Sequence, residues 1–159
     1  MKIDKVYDKL LALFDDNASS EHLHYFNDHD NNTMLFAVDC FAVYAVPNHE
    51  VWTCKSDTKK SEILPKVFNR AVNTGKLASV TKGKDYLNRC VLRFTADNGL
   101  TVYAQEKFFR MFPKNALYYV SGKYEPVLVS IEDNNRFYPV AVVMPLRMDA
   151  EQFRAKEGC

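Results

Sequence analysis

The residues best suited to metal chemistry lie close together near the N-terminus. They are His22, His24, Asp28 and His29. Imidazole and carboxylate groups suit Zn²⁺ and other divalent ions, and a closed site needs three or four convergent ligands. Downstream, only His49 adds another imidazole. A metal-dependent hydrolase built on this cluster is therefore one alternative, and a polar strand edge and turn without metal is the other.

The cysteines raise the question of nucleophilic catalysis. Cys40 or Cys54 could pair with His49, but neither lies in a recognisable nucleophile elbow or at a clear helix N-terminus. No third orienting group is evident, and the four cysteines form no CxxC pair. With five Gly the chain also lacks the GxGxxG and GxxxxGK[ST] phosphate loops. The sequence therefore predicts a protein that is not an enzyme, has free thiols and needs no cofactor.

Charge is distributed unevenly along the chain. Residues 1–50 carry three basic and nine acidic side chains, whereas residues 55–84 carry eight basic and two acidic ones. Such polarity can mark an electropositive face for a polyanion, or the two segments can neutralise each other. For the first alternative the candidate contacts with duplex DNA are Lys59, Lys60, Lys66, Arg70 and Lys76.

The hydrophobic pattern predicts which elements position these residues. Apolar residues at helical spacing indicate one helix over residues 3–14 and a second from Ser61 to Val72. Apolar stretches at 33–46 and in six segments after residue 76 indicate strands, with turns at Asp97-Asn98-Gly99 and Asp133-Asn134-Asn135. We expect an α+β domain over residues 1–148, with both helices on one face of an antiparallel sheet, and a helical tail over 149–159.

Two features bear on location. The charged N-terminal segment MKIDKVYDKL has no apolar stretch typical of a signal peptide, and no apolar run approaches the ~20 residues that span a membrane. The sequence therefore predicts a cytoplasmic protein without a membrane partner.

The C-terminal part resembles the bacterial sliding clamp, the β subunit of the replicative DNA polymerase. Tyr138–Met148 reads YPVAVVMPLRM and is similar to the clamp's last strand, which ends in apolar residues followed by Met-Pro-Met/Val-Arg-Leu. Tyr124–Val129 resembles a clamp strand with a Pro-Val/Ile-Leu-Ile core, and Val102–Phe109 resembles the start of a clamp helix. Phe36–Pro47 is similar to a clamp hairpin, with Val-Asp-Cys in place of Thr-Asp-Gly.

This resemblance implies a non-catalytic binding protein related to DNA replication and built from two units, each a helix followed by antiparallel strands. A clamp binds short hydrophobic peptides of replication and repair proteins beside its last strand and encircles duplex DNA. The corresponding peptide-binding residues here are Val143, Met144, Pro145, Leu146, Arg147 and Met148. A clamp chain has three such domains and this one has room for one, so a ring would need an oligomer. A phage or mobile element would be a plausible source. The alternative is an α+β interaction module unrelated to clamps.

Overall fold

The computed structural model describes residues 2–17, 23–27, 33–39, 41–47 and 63–155, without the side chains of 17 and 23–27. The helices are α1 (Lys2–Asn17) and α2 (Ile63–Thr74), with short 3-10 helices at Glu106–Phe108 and Ala150–Gln152. The strands are β1 (Leu23–Asn27), β2 (Thr33–Val38), β3 (Ala42–Pro47), β4 (Lys76–Lys84), β5 (Cys90–Ala96), β6 (Thr101–Gln105), β7 (Leu117–Val120), β8 (Val127–Asp133), β9 (Arg136–Val143) and β10 (Arg154–Ala155). The fold is thus mixed α+β, with far more strand than helix.

All described strands join one antiparallel sheet. Nine of them follow the order β1-β2-β3-β9-β8-β7-β4-β5-β6, and β10 pairs with the end of β4. Most neighbours are hairpins, but β3 pairs with β9, where Ala42 lies opposite Val143. This one long-range pairing joins the first three strands to the remainder of the sheet.

Helix α1 covers one face of the sheet. Its buried side chains are Ile3, Val6, Leu10 and Phe14, spaced three to four residues apart as in an amphipathic helix. The Phe14 ring packs on Phe36 of β2 at 5.4 Å between ring centroids, and Phe36 in turn contacts Tyr44 of β3. These residues belong to the largest apolar core of the described structure.

Helix α2 covers the opposite face. Leu64, Phe68 and Ala71 pack with Leu35, Ala37, Val43 and Ala45, the positions of β2 and β3 that alternate with those facing α1. The prediction that both helices lie on one face is therefore wrong. Met34–Ala37 and Ala42–Val46 are buried at every position, so these strands need a cover on each side.

The predicted turns are confirmed. Gly99 has φ 86°, and Asn134 and Asn135 have φ 52° and 62°, the left-handed backbone that closes tight hairpins. The Asn pair joins Asp133 to Arg136 directly across β8 and β9. These turns fix the register of the last strands before the candidate site.

The C-terminal tail is extended rather than helical. For residues 149–155, where a helix was expected, the chain forms a single 3-10 turn at Ala150–Gln152 and then the short strand β10. Met148 and Phe153 are buried with Val91 and Tyr103 on the outer face of β5 and β6, which is the face turned away from the main core. The tail therefore gains its stability from packing on the sheet and not from helix formation.

Candidate functional site

A small cavity lies where α2, the β7–β8 loop and the end of β9 meet. It measures about 140 Å³ and is lined by Val67, Arg70, Ala71, Ser121, Tyr124, Glu125, Pro126 and Met144. We call this set of residues the Tyr124 groove. Four of the lining side chains are apolar, from Val67, Ala71, Pro126 and Met144, and they provide a surface suited to an apolar guest.

The wall facing α2 is held by an ion pair. The Arg70 guanidinium of α2 donates a hydrogen bond to the Glu125 carboxylate at 2.9 Å. The loop itself is closed by a turn in which the Glu125 N–H donates to the Gly122 carbonyl at 3.1 Å. Because the Arg70 side chain is 70% exposed and the Glu125 side chain 36% exposed, the pair positions the loop more than it stabilises the fold.

Tyr124 is the most prominent side chain at the mouth of the groove. It is 58% exposed, although aromatic rings are usually buried. Two cations lie near its ring, with Lys123 Nζ at 5.4 Å and Arg147 Cζ at 5.8 Å from the ring centroid. An exposed aromatic ring with cations close to it suits a partner that carries both apolar and acidic groups.

The six residues assigned to peptide binding by the clamp resemblance are not all brought together. Met144 lines the groove and is 37% exposed. Arg147 does not line the groove, but its guanidinium lies near the ring of Tyr124, which does. Pro145, between them, is half-buried. Met144 is fixed by its backbone N–H, which donates to the Phe41 carbonyl at 2.7 Å.

The other three members of that set face elsewhere. Val143 is fully buried in β9, between Ala42 and Val127 of the neighbouring strands. Leu146 and Met148 pack into the cluster on the outer face of β5 and β6. Residues 143–148 therefore divide between the groove and the core, without the two-residue alternation of a regular strand.

The residues assigned to DNA contact are only partly described. Lys59 and Lys60 lie outside the described residues. Lys66 and Arg70 are exposed on α2, and Lys76 is exposed at the start of β4. Arg70 is already paired with Glu125, so part of the positive charge on this face is neutralised.

The histidine cluster lies almost wholly outside the described residues. His22, Asp28 and His29 are not described, and of His24 only the backbone is, within β1. In the described part of the chain no group of three or more His, Cys, Asp or Glu could hold a metal ion. No helix among the described residues is long and apolar enough to cross a membrane.

The sequence interpretation missed most of the groove. The clamp resemblance assigns Tyr124 and Glu125 to a strand, whereas the structure places both in the loop between β7 and β8, next to Lys123. The sequence signal for this site is a Tyr between Lys and Glu directly after Gly122, since such turns form loops and binding residues concentrate on loops. Val67 and Ala71 read only as the buried face of a helix.

Comparison of the chain with family models, with curated proteins and with solved structures gave no match.

Proposed function

We propose that this protein is a non-catalytic binding protein that captures a short peptide in the Tyr124 groove, as a single sliding-clamp domain would beside its last strand. The supporting observation is the exposed Tyr124 ring, which lines a largely apolar cavity and has two cations within 6 Å of its centroid. The peptide would come from a replication or repair protein, as the resemblance to the sliding clamp implies.

The size of the cavity limits what enters it. Apolar cavities of ~150 Å³ accept one benzene molecule, so about 140 Å³ suits one Leu or Phe side chain. Met144 can adjust its shape to either, because its side chain is unbranched and flexible. A neighbouring acidic side chain of the peptide would then lie near Arg147, because Lys123 is already paired with Asp149 at 3.6 Å.

The proposal does not extend to encircling DNA. Ring closure by several copies would need free edge strands, which in the described sheet are β1 and β6. The Leu146 N–H donates to the Tyr103 carbonyl at 2.7 Å, so the chain itself already occupies part of the β6 edge. Peptide capture requires no ring and is the part of the clamp role that the groove supports best.

The test is a binding titration with fluorescent short peptides. The probe contains a Leu-Phe pair next to an Asp; one control replaces Leu-Phe by Ala-Ala and another replaces Asp by Lys. We expect binding of the first peptide only. Tyr124→Ala should weaken it by at least about tenfold, since central aromatic anchors carry much of the binding energy.

The matched control variant is Tyr86→Ala. Tyr86 is 62% exposed, close to the value for Tyr124, but lies outside the groove. We expect this variant to bind as the wild type does. An equal loss in both variants, or no binding of the Leu-Phe-Asp peptide by the wild type, would refute peptide capture at this groove. Binding of duplex DNA alone would favour the other part of the clamp role.

A further inference from the structure

A second cleft lies on the sheet between β4, β5 and the chain that follows β6. Its volume is about 340 Å³, within the usual size of small-molecule sites, and none of its lining residues belongs to the Tyr124 groove. The lining consists of Val80, Lys82, Leu92, Glu106, Phe109, Arg110, Phe112, Pro113, Lys114 and Tyr118. We call it the Lys82–Lys114 cleft.

The floor of this cleft is apolar and rigid. Leu92, Phe109 and Phe112 are buried members of the main core, so their exposed surfaces in the cleft are held in place. Val80 is 43% exposed, and at this point β4 pairs only with β5, because its pairing with β7 ends at Ala78. Its side chain lines the cleft and is open to a ligand there.

The rim of the cleft is cationic. Lys82 and Lys114 are exposed, and within the described part of the chain neither forms an ion pair. The third cation, Arg110, donates to Glu106 at 2.8 Å and is thereby neutralised. Two positive charges therefore remain at the mouth, so an anionic head group is favoured there.

The scarcity of uncharged polar side chains in the described lining further limits the class of ligand that can bind. Among the described residues, the lining of the cleft includes no Ser, Thr, Asn or Gln, and its one side-chain hydroxyl belongs to Tyr118. A sugar or a nucleobase would leave most of its hydrogen-bonding groups unpaired against this floor, at a high desolvation cost. A ligand with one charged end and an apolar body leaves none unpaired.

We propose that the Lys82–Lys114 cleft binds a medium-chain carboxylate, with the carboxylate between the two lysines and the alkyl chain on Val80, Leu92 and Phe109. The volume accords with this chemistry, because about 340 Å³ is roughly twice the ~150 Å³ that accepts benzene. This inference does not depend on the Tyr124 groove.

The experiment titrates the full chain, labelled with ¹⁵N, and follows amide shifts in NMR spectra. The ligands are octanoate, its neutral counterpart 1-octanol, and acetate, which has the head group without the chain. We expect octanoate to shift amides of residues 80–82 and 106–118 and to bind more tightly than the other two. Equal affinity for octanol, or shifts spread over lysines throughout the surface, would overturn the proposal.

Variants test each part of the cleft. Lys82→Gln and Lys114→Gln should each weaken octanoate about two- to fivefold, as expected for exposed ion pairs, and the double variant should weaken it further. Val80→Glu places a carboxylate in the cleft and should abolish binding. Lys76→Gln is the control, since Lys76 is exposed on the same strand but does not line the cleft. A loss with Lys76→Gln as large as with Lys82→Gln would refute the assigned site.

Discussion

Gly83 provides a sensitive test of how the C-terminal tail docks. It lies in β4 between Val91 of β5 and Ala155 of β10. A Cβ atom built on Gly83 would lie 2.5 Å from the Arg154 carbonyl oxygen and would also overlap the Phe153 ring. Ordinary contacts are about 3.5–4.0 Å, so Gly83→Ala must displace the tail.

The size of the effect follows from what the tail buries. Phe153 is 8% exposed; its ring lies 5.5 Å from that of Tyr103 and 4.8 Å from the Arg93 guanidinium carbon. Burial of one such side chain is worth about 1.5–3 kcal/mol. The loss of stability in Gly83→Ala cannot exceed the free energy with which the tail docks, because the tail can detach from the sheet and so relieve the overlap. We expect a loss of about 2–3 kcal/mol and a fall in Tm of about 4–10 °C.

Hydrogen exchange followed by mass spectrometry distinguishes local from global effects. In Gly83→Ala, amides of 148–155 should lose protection, whereas those of β8 and β9 should keep most of it. The control is Gly122→Ala, where the new methyl meets no backbone atom and only the Glu125 side chain, with Cγ at 2.8 Å, so the loss of stability should be smaller than for Gly83→Ala. Unchanged protection of the tail, or equal effects of the two substitutions, would refute the described docking.

Three further predictions concern stability measured by urea denaturation. Tyr44→Phe removes the hydrogen bond that the buried hydroxyl donates to the Phe108 carbonyl at 3.0 Å and should cost about 1 kcal/mol. Burial raises the pKa of Tyr44, so the stability of the wild type should fall above about pH 10, where Tyr in the unfolded chain loses its proton. The stability of Tyr44→Phe should fall less over the same range. Parallel pH curves for the two proteins would contradict this. Burial alone would raise the pKa of Asp85, but hydrogen bonds from the Arg89 and Leu87 N–H groups and the Arg89 guanidinium outweigh it and lower the pKa. The contribution of Asp85 to the free energy of unfolding should therefore be lost as pH falls below about 4. Asp85→Asn should cost about 1–3 kcal/mol at neutral pH and should lose less stability than the wild type below about pH 4. The same loss of stability in acid for both proteins would refute this. Asn135→Val should cost about 1–2 kcal/mol because φ is 62°, and Asn135→Gly should not; similar stability of both would contradict the turn assignment.

The local elements could be predicted because their signals are local. The turn at Asn134 and Asn135 and the apolar strands on either side are visible in the sequence and agree with the structure. The placement of the helices was missed for a physical reason. The uninterrupted apolar runs of β2 and β3 indicated burial on both faces, but the prediction treated the sheet as covered on one face only.

The candidate site was harder to predict because distant segments build it. Met144 and Arg147 could be named from the Met-Pro-Leu-Arg segment, but Val67, Tyr124 and Met144 meet only through the tertiary fold. The pairing of β3 with β9 illustrates the same limit. Neither strand carries a local signal that selects the other, since both are simply apolar and rich in Val and Ala.

The pairing of β3 with β9 also affects how the chain folds during synthesis. During synthesis α1 and the first three strands emerge early, yet β3 exposes an apolar edge until β9 has been translated. The hydrogen bond that the Ile3 N–H donates to the Asp133 carboxylate likewise forms only after a further 130 residues have been made. Contacts of such long range slow folding and leave unpaired edges open to other chains. The nascent protein should therefore benefit from a chaperone that shields β3, and truncation before β9 should yield an aggregating fragment.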